Sequence, residues 1–336
     1  MDNQRIAYLD YARVFAVLLV IYGHLLTYDV YIPRVFIYAF HMPFFFFVSG
    51  MLHKFDGTIQ WKKYIRTIIV PIIFFNLIIW LLYSPCYYLD IISSKYHGLS
   101  FDQVLKDSFV DGFIGFYKSG YDNTKMASGP TWFLIVLLIC KILNDIFQQN
   151  LLKGVGTIVL LCILGKILGN HFFIAQSIMV FPFYFVGFYF KDRINKIITQ
   201  PFPFAKFLIC LLFTIILTTI QGRVSVLAIM FGNKVHVPFN IVLFYLNALI
   251  GSFMVLFFSR LFTENKFITD IAKSLITILG VQCIFNHLCG HNLGYNLNWY
   301  FTLPLSVCIL LVCYGIHKII DKYAPWILGK NIAFLK

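Results

Sequence analysis

Apolar stretches of about 20 residues recur along almost the whole chain, and they limit its fold more than any other feature. That is the length an α-helix needs to cross the hydrocarbon core of a bilayer. In lipid, every backbone N–H and C=O must be paired within the structure, so only helices and closed barrels span. Barrel strands alternate apolar and polar residues over about ten positions, whereas these stretches are apolar on every face. The expectation is an all-α, polytopic integral membrane helical bundle of about ten transmembrane helices. The spans fall at 6–28, 32–53, 67–84, 131–148, 151–169, 173–190, 204–221, 237–262, 267–288 and 299–320. Charged residues make up 12% of the chain, about half the share in soluble domains. No linker or internal repeat divides the sequence, so residues 1–336 read as one domain with a long polar segment at roughly 85–130.

The basic residues give the orientation. They concentrate in the segments 54–66, 191–206, 260–273 and 318–336, whereas the short loops on the other side hold Arg34, Lys166, Arg223 and Lys234. By the positive-inside rule both termini are cytoplasmic (N-in/C-in) and the 85–130 segment is outside. The net charge of +13 is then a topology signal and a contact for lipid headgroups, and nucleic acid is not an expected partner. The eight cysteines lie almost all within apolar stretches, which predicts no disulfide framework. The first stretch carries Asp10 and Arg13 and lacks a small-residue cleavage site, so it reads as a span and not as a cleaved signal peptide.

A charge at the centre of a membrane helix costs roughly 2.5–3.5 kcal/mol on insertion scales, and such residues mark interior, functional faces. The first stretch holds Asp10, Arg13 and His24. The spacing of Arg13 and His24 is close to three full turns, which puts both on one face, separated by a rise of roughly 16 Å. Asp10 precedes Arg13 by three positions and is placed to pair with it. Arg13 has two readings, a site residue or a side chain snorkelling to headgroups with Asp10 as its partner. His24 also has two, a histidine that packs helices together or a neutral imidazole able to take a hydroxyl proton near pH 7.

The next stretch contains the run from Phe40 to Gly50, "FHMPFFFFVSG". Pro43 frees a carbonyl and bends the helix, Ser49 and Gly50 allow close helix approach, and His41 is expected near the outer start of the span. Lys62, Lys63 and Arg66 then form a basic cluster before Pro71, either a topology anchor or an anion site for the phosphates of a nucleotide-bearing donor. His24 and Asp29 are five residues apart and so about 140° apart on a helix, which makes a joint role coincidental. Cys283, His287, Cys289 and His291 lack a firm metal-ligand spacing. No metal is expected.

Taken together, Arg5, Asp10, Arg13 and His24, the 40–50 run, and Lys63 and Arg66 before Pro71 resemble the acyltransferase-3 family of membrane O-acyltransferases, in the form of its fucose 4-O-acetyltransferase relatives. "TWFL" at 131–134, "FPFYFVG" at 181–187 and "IAKSLITILGVQ" at 271–282 are similar to later landmarks, although Gln282 stands where relatives often have histidine. The resemblance implies an acyl-CoA co-substrate, usually acetyl-CoA, with no tightly bound cofactor. It also implies a cell-surface or lipid-linked sugar or polysaccharide as acceptor, in the inner (cytoplasmic) membrane. His24, Arg13 and Asp10 are the implied catalytic residues; Lys63, Arg66, His41, Ser49 and Trp132 are the candidates for donor or substrate binding. The chain is expected to lack the extracytoplasmic hydrolase-like domain that some members carry. Polysaccharide-synthesis machinery is an implied partner. His24 then acts either as general base or as transient acyl carrier. The competing classes are a glycan transporter or flippase and a subunit of a polysaccharide export assembly, in which the same residues line a path or a joint.

Overall fold

The computed structural model describes residues 7–26, 31–55, 57–91, 96–110, 131–147, 150–168, 173–230, 238–293 and 298–331. Among these residues there are helices and turns and no strand, as backbone pairing in lipid requires. Each of the ten expected stretches is helical over most of its described length. Six helical segments are long and apolar enough to cross a membrane, and a seventh is a pair bent by 73°. The helix of the 131–148 stretch, Trp132–Phe147, has 16 residues, and those of the next two stretches have shorter apolar parts, Leu151–Leu164 and Gln176–Tyr189.

Helix α1 (Ala7–Leu25) is followed by α2 (Tyr31–Tyr38) and α3 (His41–Met51), which together form one candidate span, Pro33–Met51. The break at Ala39–Phe40 lies four residues before Pro43, whose missing N–H leaves the Ala39 carbonyl without its helical donor. His41 therefore sits in the middle of this span and not near its start. Next come α4 (Trp61–Tyr64), a π turn (Ile65–Ile69) and α5 (Val70–Tyr88). Helix α6 (Phe101–Phe109) is capped by Ser100 and Gln103 in a reciprocal box and packs on α5 through Trp80, whose indole donates to Ser108 Oγ at 3.1 Å. Helices α7 (Trp132–Phe147), α8 (Leu151–Leu168), α9 (Ile174–Tyr189), α10 (Lys191–Ile198), α11 (Pro203–Met230) and α12 (Pro238–Ser259) complete the middle of the chain.

The expected span at 267–288 is interrupted. Helix α13 (Lys266–Lys273) and α14 (Leu275–Leu293) meet at Ser274, whose hydroxyl donates to the Ile271 carbonyl at 2.7 Å. Helix α13 is strongly amphipathic, and its Asp270 pairs with Lys273 at 3.1 Å and with Lys318 at 2.8 Å. Helix α13 thus turns a charged face outward while Ile271 and Ala272 on its other face are buried. Helix α15 (Trp299–Tyr323) is followed by a 3-10 turn (Pro325–Leu328).

Helix α1 lies at the centre, packed on α3, α12, α13, α14 and α15. Of its apolar window 72% is buried, and 83% for Pro33–Met51, against 11% for Pro203–Gln221 on the rim. The tightest crossing joins α3 and α9. A Cβ on Gly50 would meet the Tyr184 carbonyl oxygen at 2.0 Å, and one on Gly187 would meet that of Phe47 at 2.0 Å. Only glycine on both helices lets the backbones touch.

Candidate active site

Asp10 is buried on α1, and its Oδ1 accepts from Nη2 of Arg13. Nε of Arg13 donates to the Leu9 carbonyl at 3.3 Å. The guanidinium is thus held along its own helix, with 24% of its side chain exposed while its partner has 2%. A hidden carboxylate is costly in the interior without such a charge-assisted bond. Sequence pairing rules anticipated this contact; the depth of Asp10 was not legible from spacing alone.

His24 lies near the other end of α1, among residues that are mostly buried, yet it is itself exposed. Its Nδ1 is 3.4 Å from the hydroxyl of Tyr38 on α2, and the two rings meet edge to face at 6.1 Å. Behind Tyr38 stands His41, with ring centroids 4.8 Å apart. Nδ1–H of His41 donates to the Ile37 carbonyl at 3.0 Å, which fixes its tautomer. Arg34 covers the outer face of Tyr38, its Cζ 5.3 Å from the ring centroid, and Nη1 reaches the Leu26 carbonyl at 3.4 Å. Tyr38 therefore sits between Arg34, His41 and His24 and sets the orientation of the catalytic candidate. Sequence inspection singled out His24 and His41 but missed Tyr38, because a tyrosine counts as apolar in a hydropathy window.

The other candidates fall elsewhere. Helix α3 carries the chain about 16 Å from His41 to His53, which opens a buried polar network. The hydroxyl of Tyr184 on α9 lies 2.7 Å from His53 Nδ1. His53 Nε2 is 2.8 Å from Asp145 Oδ1 on α7. The Tyr64 hydroxyl donates to Asp145 Oδ2. Lys141 caps this group, its Nζ 5.7 Å from the Tyr64 ring centroid. Tyr64 immediately precedes the π turn that carries Arg66, and Lys63 immediately precedes Tyr64. On the other side of the turn, Gly329 adopts a left-handed φ of +72°, and a Cβ there would meet the Arg66 carbonyl oxygen at 1.8 Å. The basic segment is gripped on both sides. Its Lys63 Nζ donates to Gln60 at 2.7 Å. A π turn just before Pro71 accommodates the proline's missing donor, and such turns recur at functional sites.

Ser49 is half-buried beside the Gly50–Gly187 crossing. Trp132 stands at the start of α7, stacked on Phe173 with centroids 6.3 Å apart. The structure thus unites Asp10 with Arg13 and His24 with His41, and leaves the Lys63–Arg66 pair, Ser49 and Trp132 on separate elements. Arg5 and Asp29 lie outside the described residues, as does the side chain of His291. Among the described residues, no three His, Cys, Asp or Glu side chains converge as metal ligands would.

A family model described as an acyltransferase domain matches residues 6–318. No curated protein and no solved structure matches the chain.

Proposed function

Because the chain belongs to the acyltransferase-3 family, a family of membrane acyltransferases, we propose that it moves an acetyl group from cytoplasmic acetyl-CoA to a hydroxyl of a cell-surface or lipid-linked sugar. The observation that carries this reading is His24. It is an exposed imidazole on the most central helix, oriented by Tyr38, on the face of α1 that also holds the Asp10–Arg13 pair. Its Nε2 serves as general base toward the acceptor or as the atom that holds the acyl group in transit. Lys63 and Arg66 bind donor phosphates through charge-assisted bonds, Arg13 steadies the donor along α1, and His41 keeps Tyr38 in place. Ser49 and Trp132 complete the substrate path. Ten spans with both termini inside suit this division, since the basic cluster then faces the cytoplasmic donor pool.

The test combines mass spectrometry of surface glycans, from cells with and without the gene, with the His24→Ala variant. Loss of an acetyl mass in both strains, with the variant still present in the membrane fraction, is the expected result. General-base loss costs about 10²–10⁴-fold. Unchanged glycan acetylation in the His24→Ala strain would return His24 to a packing role. Glycan movement without any acyl-CoA requirement would instead make the protein a transporter.

A further inference from the structure

A second imidazole stands on a helix that packs against α1. His287 lies on α14, which packs against both α1 and α5. It is exposed although its neighbours on the helix are mostly covered. Its Nδ1 is 2.8 Å from the hydroxyl of Tyr83 on α5, and Tyr83 itself is 4% exposed. His24 and His287 are near enough to act on each other electrostatically. In both, Nδ1 is occupied by a tyrosine hydroxyl, and no hydrogen bond reaches either Nε2 among the described residues.

The Tyr83 contact bears on which nitrogen of His287 is basic. In the tautomer whose Nδ1–H donates to the Tyr83 oxygen, Nε2 keeps its lone pair.

We propose that His287, oriented by Tyr83, takes the proton of the acceptor hydroxyl opposite His24. This rests on the reading in which His24 Nε2 holds the acyl group in transit, its acylation having released CoA as the thiolate. As the acceptor oxygen bonds to the acyl carbon, its O–H bond breaks and the proton passes to Nε2 of His287. The bond from the acyl carbon to His24 Nε2 breaks with its electron pair, which restores the neutral imidazole. His287 then gives up its proton, which the CoA thiolate takes up, so the enzyme ends as it began. Two imidazoles with free Nε2 atoms suit this division, one facing the acyl group and one the hydroxyl. Sequence reading gave His287 only the role of a doubtful metal ligand.

The experiment uses membrane vesicles from cells that make the native acceptor, supplied with radiolabelled acetyl-CoA, with label counted in the glycan fraction. His287→Gln, which keeps hydrogen bonding but accepts no proton, is expected to slow transfer by about 10²–10⁴-fold. Acetyl-CoA titration of the purified variant should give unchanged donor affinity. Tyr83→Phe is expected to slow transfer less than His287→Gln. Near-normal transfer by His287→Gln overturns the proposal, as does equal loss of donor binding and transfer, which marks a packing residue. His24→Ala is measured beside them. If it too transfers normally, the acyl-transfer reading of His24 has failed, a result distinct from failure at His287 alone.

Discussion

Replacing Asp145 by alanine gives the sharpest test of how the basic turn is held. Asp145 accepts from Tyr64 and faces His53 Nε2 at 2.8 Å, and all three residues are 3% exposed or less. Without the carboxylate, a tyrosine hydroxyl and an imidazole lose their partner in a place closed to water. Each orphaned group costs about 1–3 kcal/mol, or about 2–6 kcal/mol for the two together. At about 2–4 °C per kcal/mol for a domain of 150–250 residues, the expected fall in unfolding temperature is about 10 °C. Asp145→Asn keeps the size and one acceptor oxygen, so it should lose less than half of that. The assay is thermal unfolding of detergent-purified protein, paired with titration of acetyl-CoA. Since Tyr64 adjoins both Lys63 and the Arg66 turn, donor affinity should weaken in both variants while saturated turnover holds. An Asp145→Ala protein that melts with the parent would refute the stabilising role. One that keeps donor affinity but turns over slowly would refute the coupling to the basic turn.

Other outcomes follow from features on separate elements. Changing Lys63 and Arg66 together to alanine should weaken apparent donor affinity by more than tenfold, since each charge-assisted contact contributes about 1.5–3 kcal/mol, and should leave turnover at saturating donor nearly intact. An unchanged affinity makes them topology anchors. Gly50→Val should abolish accumulation in the membrane, because the new Cβ would need to sit 2.0 Å from the Tyr184 carbonyl oxygen; Gly156→Ala on α8, where nothing lies within 4 Å, should accumulate normally. Equal expression of the two would contradict the close crossing. A cysteine placed at Lys62 should resist an impermeant thiol probe added to intact cells, and labelling from outside would reverse the orientation.

The helices were legible because lipid demands one thing of a backbone, and a hydropathy window measures it directly. Their interruptions were less so. The α2–α3 break is foreshadowed by Pro43, but at the bend beside Ser274 the Asp270 of α13 meets Lys318 from α15, a contact 48 positions away that no local pattern reveals. The candidate site divides in the same way. Asp10, Arg13 and His24 reveal themselves as ionisable residues in an apolar helix. Tyr38, Tyr64, Tyr83 and Tyr184 do not, since a tyrosine is apolar to any windowed sum and its hydroxyl matters only once a histidine or carboxylate from another helix arrives. His53 and Asp145 are 92 positions apart, and no local pattern links them.

The glycine contact between α3 and α9 bears on how an acyl group could cross the bilayer. Rocker-type carriers open first to one side and then to the other by turning one half of the bundle against the other, and the pivoting surfaces must slide. Backbones in direct contact cannot slide, because any rotation drives one helix's carbonyls into the other's. With α3 and α9 locked, and α1 packed against α3, the centre of this protein is a fixed frame. On the proposed acyl-transfer reading, a donor would thread such a frame from one side and meet the acceptor near the other. The distance along α1 from Arg13 to His24 would then act as a ruler for the length of donor that fits.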